Sequence, residues 1–506
     1  MNQEFRLFNT LHGKVEPLTL IERDHLRFYS CGPTVYSYAH IGNFRSFLTA
    51  DLILRTAREL GWKTTYVTNI TDVGHLTNDD TMDASGEDRM ARALRSTEGT
   101  RFANVWDLAR YYSDALQADW HQLNLLPPDV QPRATEHIRE QIQVIEQLLD
   151  QGIAYTTSSG VYFSVSKFPE YGKLSGNKAA HALEHAVRDV VVDPEKQDPR
   201  DFALWKKDEN HLMQWYSPWG WGFPGWHIEC SVMAQAYLGD QIDVHAGGED
   251  LIFPHHECEI AQAEALTGVP FARHWVHTRF LQVEGQKMAK RTGNFFTVRD
   301  LVQDRGVTPL AVRLALISGQ YRKPFNFTFS TLKDSERHIG RLNQAYSIAL
   351  EAKNQGKEGL GHIQDDVQEK LQMILRALLD DLNTPLAIAH ALDGVRTILK
   401  YKDVVGMQAY EFMEGVSRIL GIVDPTPKEA ENAPLSQLNL SRSIGQVPPN
   451  NGLDAAEIDE LIKKRSVARQ SRDFSTADQI RDQLLEMNIE LKDGADGTTW
   501  ELKSNI

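Results

Sequence analysis

A chain of 506 residues with 41% hydrophobic content has room for about three or four domains, and no stretch approaches the ~20 uninterrupted apolar residues of a membrane span. A net charge of −15 excludes a general nucleic-acid coat, which needs a basic surface, but allows a nucleic acid docked on local basic faces. Three cysteines exclude a disulfide framework and suit reduced thiols in the cytosol.

The first residues, MNQEFRLFNT, carry no basic run ahead of an apolar one, so no signal peptide is expected. Residues 26–30 predict a short buried strand, followed by a Gly/Pro loop at Cys31–Pro33. Phe44, Phe47, Leu48 and Leu52 recur at helical spacing, with Gly61 as the stop. Residues 63–70 are β-rich. Strand, helix, strand is a βαβ unit and predicts a Rossmann-like, doubly wound α/β fold whose ligands bind at the carboxyl ends of the strands. Cys31 to Asn43 falls at such an end. Residues 103–150 read as mostly helical and 151–215 as mixed and turn-rich; together they are expected to form an insertion at about 103–225. Sheet and helix signals resume from 226 to about 320. Residues 331–423 predict a helical bundle broken at Asn383-Thr384-Pro385, 424–453 a linker, and 454–506 a small α+β module.

Four separated residues carry the chemistry: Cys31, Cys230, His255 and Glu259. His255 and Glu259 stand four apart, on one face if the segment is helical. Thiolate, imidazole and carboxylate together suit zinc. His256 and Cys258 are spare donors nearby, and a closed structural zinc is the competing reading. His40-Ile41-Gly42-Asn43 sits where a loop enters a helix, a place that binds phosphate through free N–H groups. The same tetrapeptide also suits an ordinary capping loop. Lys287-Met288-Ala289-Lys290-Arg291 suits a mobile phosphate clamp or a solvated basic turn. Gly247-Gly248-Glu249-Asp250 suits a tight turn in which Asp250 accepts ribose hydroxyls, or a plain β-turn. In the Trp219–Trp226 run, Trp226 is placed to wall a pocket beside the metal. Trp219 and Trp221 are expected to pack the Gly-rich loop.

Taken together, these segments resemble the cysteinyl-tRNA synthetases, a family of class I aminoacyl-tRNA synthetases. The match covers nearly the whole chain. It runs through CGPTVYSYAHIGN (31–43), YGKLSG (171–176), DFALWK (201–206), SPWGWGFPGWHIEC (217–230), GGEDLIFPHHECE (247–259), KMAKR (287–291), LLDDLNTP (378–385), SRDFSTADQIRDQL (471–484) and DGTTW (496–500). The resemblance implies that Cys31, Cys230, His255 and Glu259 bind zinc and that Thr34 and Trp226 lie near the amino acid. It implies that His40, Gly42, Asn43, Asp250, Lys287 and Lys290 handle ATP, with His40, Lys287 and Lys290 acting in catalysis. It further implies L-cysteine, Mg-ATP and tRNA(Cys) as partners, one zinc per chain, a cytoplasmic monomer, and no separate editing domain. Four protein ligands plus substrate would make that zinc five-coordinate. The expected division is a catalytic domain at 1–330, with a region contacting the tRNA stem at about 270–330, then the bundle, the linker and an anticodon-binding module. Lys463, Lys464, Arg465, Arg469 and Arg472 form a candidate phosphate-facing stripe in that module.

The sequence departs from the family pattern. Asn43 stands for the usual second His, and Ala289 and Arg291 replace two serines. Phe223 stands where Arg is common, and TDVGHL (71–76) replaces a more acidic segment. Two competitors follow: a ligase passing cysteine to a small amine, and a non-catalytic zinc- and nucleotide-binding paralogue.

Overall fold

The computed structural model describes residues 4–74, 76–78, 85–176, 195–209, 211–288, 293–423, 465, 480–481, 489–494 and 497–502. The chain divides into two compact units, Met1–Pro425 and Thr426–Ile506.

A four-stranded parallel sheet organises the first unit, in the order Ala272–Thr278, Ile242–Gly248, His25–Ser30, Lys63–Thr68. Phe28 faces Tyr66 on one side and Val244 on the other, and Val244 faces His274. Phe28, Tyr29, Tyr66, Val67, Val244 and Trp275 on these strands are buried, and the helices Ile41–Glu59 and Trp226–Leu238 pack on them. The helix Ile41–Glu59 returns the chain from the first strand to Lys63–Thr68, completing the expected βαβ unit. Its buried residues lie all around it, since it packs on the sheet and against the helices Pro309–Ile317 and Met407–Leu420. After Lys63–Thr68 the chain crosses to the other side of the first strand. The winding therefore reverses between His25–Ser30 and Ile242–Gly248. The crevice beyond those two strand ends is where such folds bind ligands.

The predicted strand at 63–70 ends at Thr68. Asn69 instead turns inward, and its Oδ1 accepts from the Gly32 N–H at 2.8 Å. A Cβ on Gly32 would lie 1.7 Å from the Asn69 carbonyl oxygen, so only glycine fits there.

Within the expected insertion, the helices Val105–Gln122 and Ile138–Asp150 precede a five-stranded antiparallel sheet. Its order is Trp215–Ser217, Gly220–Pro224, Phe202–Lys206, Gly160–Phe163, Ala154–Thr156. Phe163, Phe202, Leu204 and Trp205 give it a core of its own with Ile145 and Ile228. Trp219 packs toward Trp205 at 6.0 Å, as expected. Trp221 does not pack: it is 62% exposed, edge-on to Tyr216, because alternation along Gly220–Pro224 turns its side chain to solvent.

Helices Phe329–Asn354, Gly361–Leu379, Thr384–Lys400 and Met407–Leu420 form the predicted bundle. The break at 383–385 is a helix start: the Asn383 side chain accepts from the Leu386 N–H at 3.3 Å and Pro385 sits in the first turn. Among the described residues no helix is long and apolar enough to cross a membrane.

In the second unit Ile489–Gly494 pairs antiparallel with Gly497–Leu502. The expected linker lies outside the described residues, as do Lys463, Lys464, Arg469 and Arg472 of the basic stripe. Arg465 is buried, 7% exposed, so this member of the stripe does not face solvent.

Candidate active site and metal centre

The switch-point crevice is a cleft of about 410 Å³. It brings together Cys31, Thr34, His40, Gly42, Asn43, Trp226, Asp250 and Lys287, from five separate stretches of sequence. Cys31 follows the first strand, and its N–H is held by the Ala246 carbonyl at 3.0 Å. Thr34 bridges to Thr71. Asp250 lies just past the Ile242–Gly248 strand, in the turn Glu249–Leu251.

His40 is the N-cap of the Ile41–Glu59 helix. Its Nδ1 accepts from the Asn43 N–H at 3.1 Å, and Asn43 Oδ1 accepts from the His40 N–H at 3.0 Å. This is a reciprocal capping box with the Asn in the third helical position. Because Nδ1 accepts, the ring proton belongs on Nε2. The capping reading of this tetrapeptide therefore holds, and it coexists with a place on the cleft wall. A Cβ on Gly42 would come within 2.9 Å of His40 Nδ1 and 3.2 Å of Met288 Cε. Glycine here lets the ring and Met288 close over the helix start.

Lys287 is exposed, with Nζ 5.7 Å from the centre of the Phe280 ring. Lys290, Ala289 and Arg291 lie outside the described residues.

Behind Cys31 the four predicted ligands converge. One donor atom from each of Cys31, Cys230, His255 and Glu259 lies within 4.8 Å of every other, and all four residues are buried. The two sulfurs are 3.9 Å apart, Cys31 Sγ is 3.5 Å from Glu259 Oε1, and His255 Nε2 is 3.0 Å from the same oxygen. Cys230 comes from the helix Trp226–Leu238. His255 stands in the helical turn Ile252–His256, after its one extended residue Phe253, and this turn runs directly into Glu257–Thr267, which bears Glu259.

The donors' other atoms are also held. Glu259 Oε2 is 2.8 Å from His245 Nε2, and His255 Nδ1 is 3.0 Å from His227 Nδ1. A second convergent group shares two members: Cys31, His245, His256 and Glu259. His256 Nε2 lies 3.2 Å from Cys31 Sγ, while its Nδ1 meets His277 at 2.8 Å. Cys258 belongs to neither group. Its sulfur is 3.4 Å from the Tyr171 hydroxyl, inside the insertion-side core.

The electrostatics fit a cation. Burial, then Cys230 and Glu259, push the Cys31 thiol well up. The hydrogen bond from Cys31 pulls Cys230 down to about 6. Burial pulls on His255, but Glu259 and Cys230 outweigh it and push its pKa up to about 10. Burial likewise opposes the charge on Glu259, which His245 and His255 hold well below the usual carboxylate range. Two sulfurs and a carboxylate, all buried, cannot all be ionised beside one imidazolium without penalty. A divalent cation removes that penalty, and the soft donors suit zinc.

Sequence reasoning missed several cleft residues. Arg89 lines the cleft and donates to the Tyr36 hydroxyl at 3.0 Å, and Arg279 and Phe280 line it too. Nothing in their local sequence marks them. The histidine shell of His227, His245, His256 and His277 had a signal: an unusual histidine density between 227 and 277. Phe223, at a position of departure, is 1% exposed and stacks on His211 at 3.7 Å, so it fills the core.

A reversing parallel sheet with a capped helix start and Lys287 on the cleft beyond its strand ends is the architecture of the class I aminoacyl-tRNA synthetases. A family model for the tRNA synthetases class I (C) catalytic domain matches residues 17–337. The structure is similar to a Mycobacterium tuberculosis methionyl-tRNA synthetase bound by methionyl-adenylate, with TM-score 0.56 and 13% identity, over 78% of this chain and 92% of that one. A second family model, the cysteinyl-tRNA ligase anticodon binding domain, matches residues 452–500. The chain is 51% identical to the cysteine–tRNA ligase of Salinibacter ruber over 99% of both chains. It is 38% identical to that of Chlorobaculum tepidum, over 98% of this chain and 99% of the relative. The chain belongs to the cysteinyl-tRNA ligase family of class I synthetases.

Proposed function

We propose that this chain activates L-cysteine with ATP and passes the cysteinyl group to the 3′ end of tRNA(Cys). In this reading Cys31, Cys230, His255 and Glu259 hold one zinc. The observation that carries the reading is the double position of Cys31. It belongs to the buried donor cluster and also lines the cleft shared by His40, Gly42, Asn43, Trp226, Asp250 and Lys287.

The carboxylate of cysteine attacks the α-phosphorus of ATP in line. The bond to pyrophosphate breaks, and cysteinyl-adenylate forms. A ribose hydroxyl of the tRNA then attacks the carbonyl carbon, and AMP leaves. The enzyme's contribution is positioning and charge stabilisation. His40 donates through Nε2 to a phosphate oxygen. Gly42 lets the nucleotide approach the helix start, and Asn43 fixes the His40 ring. Lys287 and Lys290 balance charge on the departing pyrophosphate, with Mg²⁺ entering on ATP. Asp250 accepts the ribose hydroxyls. Thr34 and Trp226 bound the amino-acid pocket.

Zinc, when bound, supplies a soft Lewis acid that favours a thiol sulfur over the hydroxyl of serine. A pocket relying on shape alone separates such near-isosteres weakly. The ligand set with two thiols is preferred over the one containing His245 and His256. His245 already serves as an outer partner to Glu259 Oε2.

The accompanying division is a catalytic domain at 1–330, a tRNA-binding bundle at 331–423, a linker at 424–453 and an anticodon-binding module at 454–506, working as a cytoplasmic monomer. A ligase for a small amine would not need an anticodon domain, which the match at 452–500 supports instead. Cysteinylation of tRNA(Cys) transcript by purified protein tests the reading. Charged tRNA with cysteine and none with serine is expected, and charging by neither would contradict it.

A further inference from the structure

Arg45 lies one turn into the helix whose start carries His40 and Asn43, yet its side chain does not face the cleft. It is 2% exposed. Its guanidinium donates from one terminal nitrogen to the Arg279 carbonyl, and from the other to the carbonyls of Gln320 and Lys323, each at 3.0 Å. It also rests on the Phe325 ring at 5.3 Å. One planar cation thus satisfies three backbone acceptors, which a single lysine ammonium cannot match in that fork geometry.

Those acceptors frame the segment that leads to Lys287. Arg279 and Phe280 stand on the cleft wall. The strand Leu281–Val283 follows and pairs in parallel with Phe325–Phe327, Leu281 facing Phe325. On its far side the segment is held by Glu249, which accepts from the Phe280 N–H at 2.7 Å and pairs with Arg279. From the helix itself, Arg45 ties the near side, beside the Thr278–Thr49 hydroxyl bond at 3.0 Å.

We infer that Arg45 is a positioning residue for adenylate formation: it helps fix the distance between the helix start at His40–Asn43 and the strand Leu281–Val283, whose partner Gln286–Lys287 carries Lys287. Nucleotide-facing groups on the two elements meet the same phosphates only if that distance is kept. A misplacement of about 1 Å costs on the order of 100-fold in rate. The zinc cluster is built on other elements and does not depend on this tie.

The inference rests on the proposed activity, and its test separates the two. Arg45→Met and Arg45→Lys are compared with the wild-type chain in cysteine-dependent ATP–pyrophosphate exchange. Zinc content and melting temperature are read alongside, with and without low-millimolar guanidinium. The expected result is a fall in kcat of about 100-fold for Arg45→Met, with cysteine KM within about twofold and zinc retained. Arg45→Lys should fall less, and guanidinium should restore part of the Arg45→Met rate. Unchanged kcat, or loss of kcat, cysteine affinity and zinc together in both variants without rescue, would overturn the inference. A wild-type chain silent with cysteine would overturn the functional reading beneath it.

Discussion

His40 Nδ1 accepts from the backbone N–H of Asn43 at 3.1 Å while Asn43 Oδ1 accepts from the N–H of His40 at 3.0 Å. The residue that departs from the family signature is thus the one that closes the capping box. Replacing Asn43 by Ala removes the bond from the His40 N–H and loosens the backbone that presents the ring, while the residue 43 N–H still donates to His40 Nδ1. A loss of about 1 kcal/mol in stability is expected from the lost cap. A lower kcat for pyrophosphate exchange should accompany it, with cysteine KM preserved. Asn43→Asp, which keeps the acceptor, should retain more stability. Chemical denaturation and exchange kinetics on both variants check this.

Trp226 stacks on His255 at 4.3 Å and also lines the cleft, so it links the amino-acid pocket to the donor cluster. Trp226→Ala should raise the KM for cysteine at least tenfold, leaving the KM for ATP within about twofold, because a buried aromatic wall is worth roughly 1.5–3 kcal/mol. Equal changes in both constants would remove Trp226 from the pocket.

Chelation should extract zinc and abolish exchange, and zinc should restore it. Cys230→Ser and His255→Ala should each lower bound zinc well below one per chain, since each removes a donor from a site of four. Elemental analysis of the purified variants reads this directly. Full zinc in the His255 variant, with loss in His256→Ala, would transfer the assignment to the second group.

Asp51, Arg55 and Arg313 tie the same helix to the bundle. Arg55 Nε donates to Asp51 Oδ2 at 2.8 Å, Arg313 pairs with the same oxygen, and both arginines also reach carbonyls at the end of Met407–Leu420. Burial pushes the Asp51 carboxyl up, but Arg313 and Arg55 outweigh it and hold it below its ordinary value. A depressed carboxyl adds stability that is complete above the unfolded pKa of about 3.9 and is lost as pH falls through the folded value. Asp51→Asn should cost about 3–5 kcal/mol at neutral pH by leaving buried guanidinium charge unpaired. Below about pH 4 the gap between variant and wild type should shrink. Melting temperatures across pH 3–7 test both points.

The sequence was most legible where chemistry and backbone demand coincide. Cys31, His40 to Asn43 and Asp250 sit at strand ends because a doubly wound sheet places its ligands there, and all reach one cleft. The convergence of Cys31, Cys230, His255 and Glu259 was also readable, and the four-residue spacing of His255 and Glu259 does bring them together, although a kink at Phe253 just ahead of them was not expected. Arg45, Arg55 and Arg313 were not legible, because nothing in the local sequence tells a buried arginine from a solvated one until its carbonyl partners are known. The insertion sheet was read only as turn-rich, since its strands are three to five residues long and pair across distant positions.

The most direct measurement is ATP–pyrophosphate exchange on purified protein with cysteine, with serine as the control, and with bound zinc measured on the same sample. The account predicts exchange with cysteine, background with serine, and loss of both exchange and metal in Cys230→Ser. Protein holding about one zinc yet silent with cysteine, or equally active with serine, would contradict it.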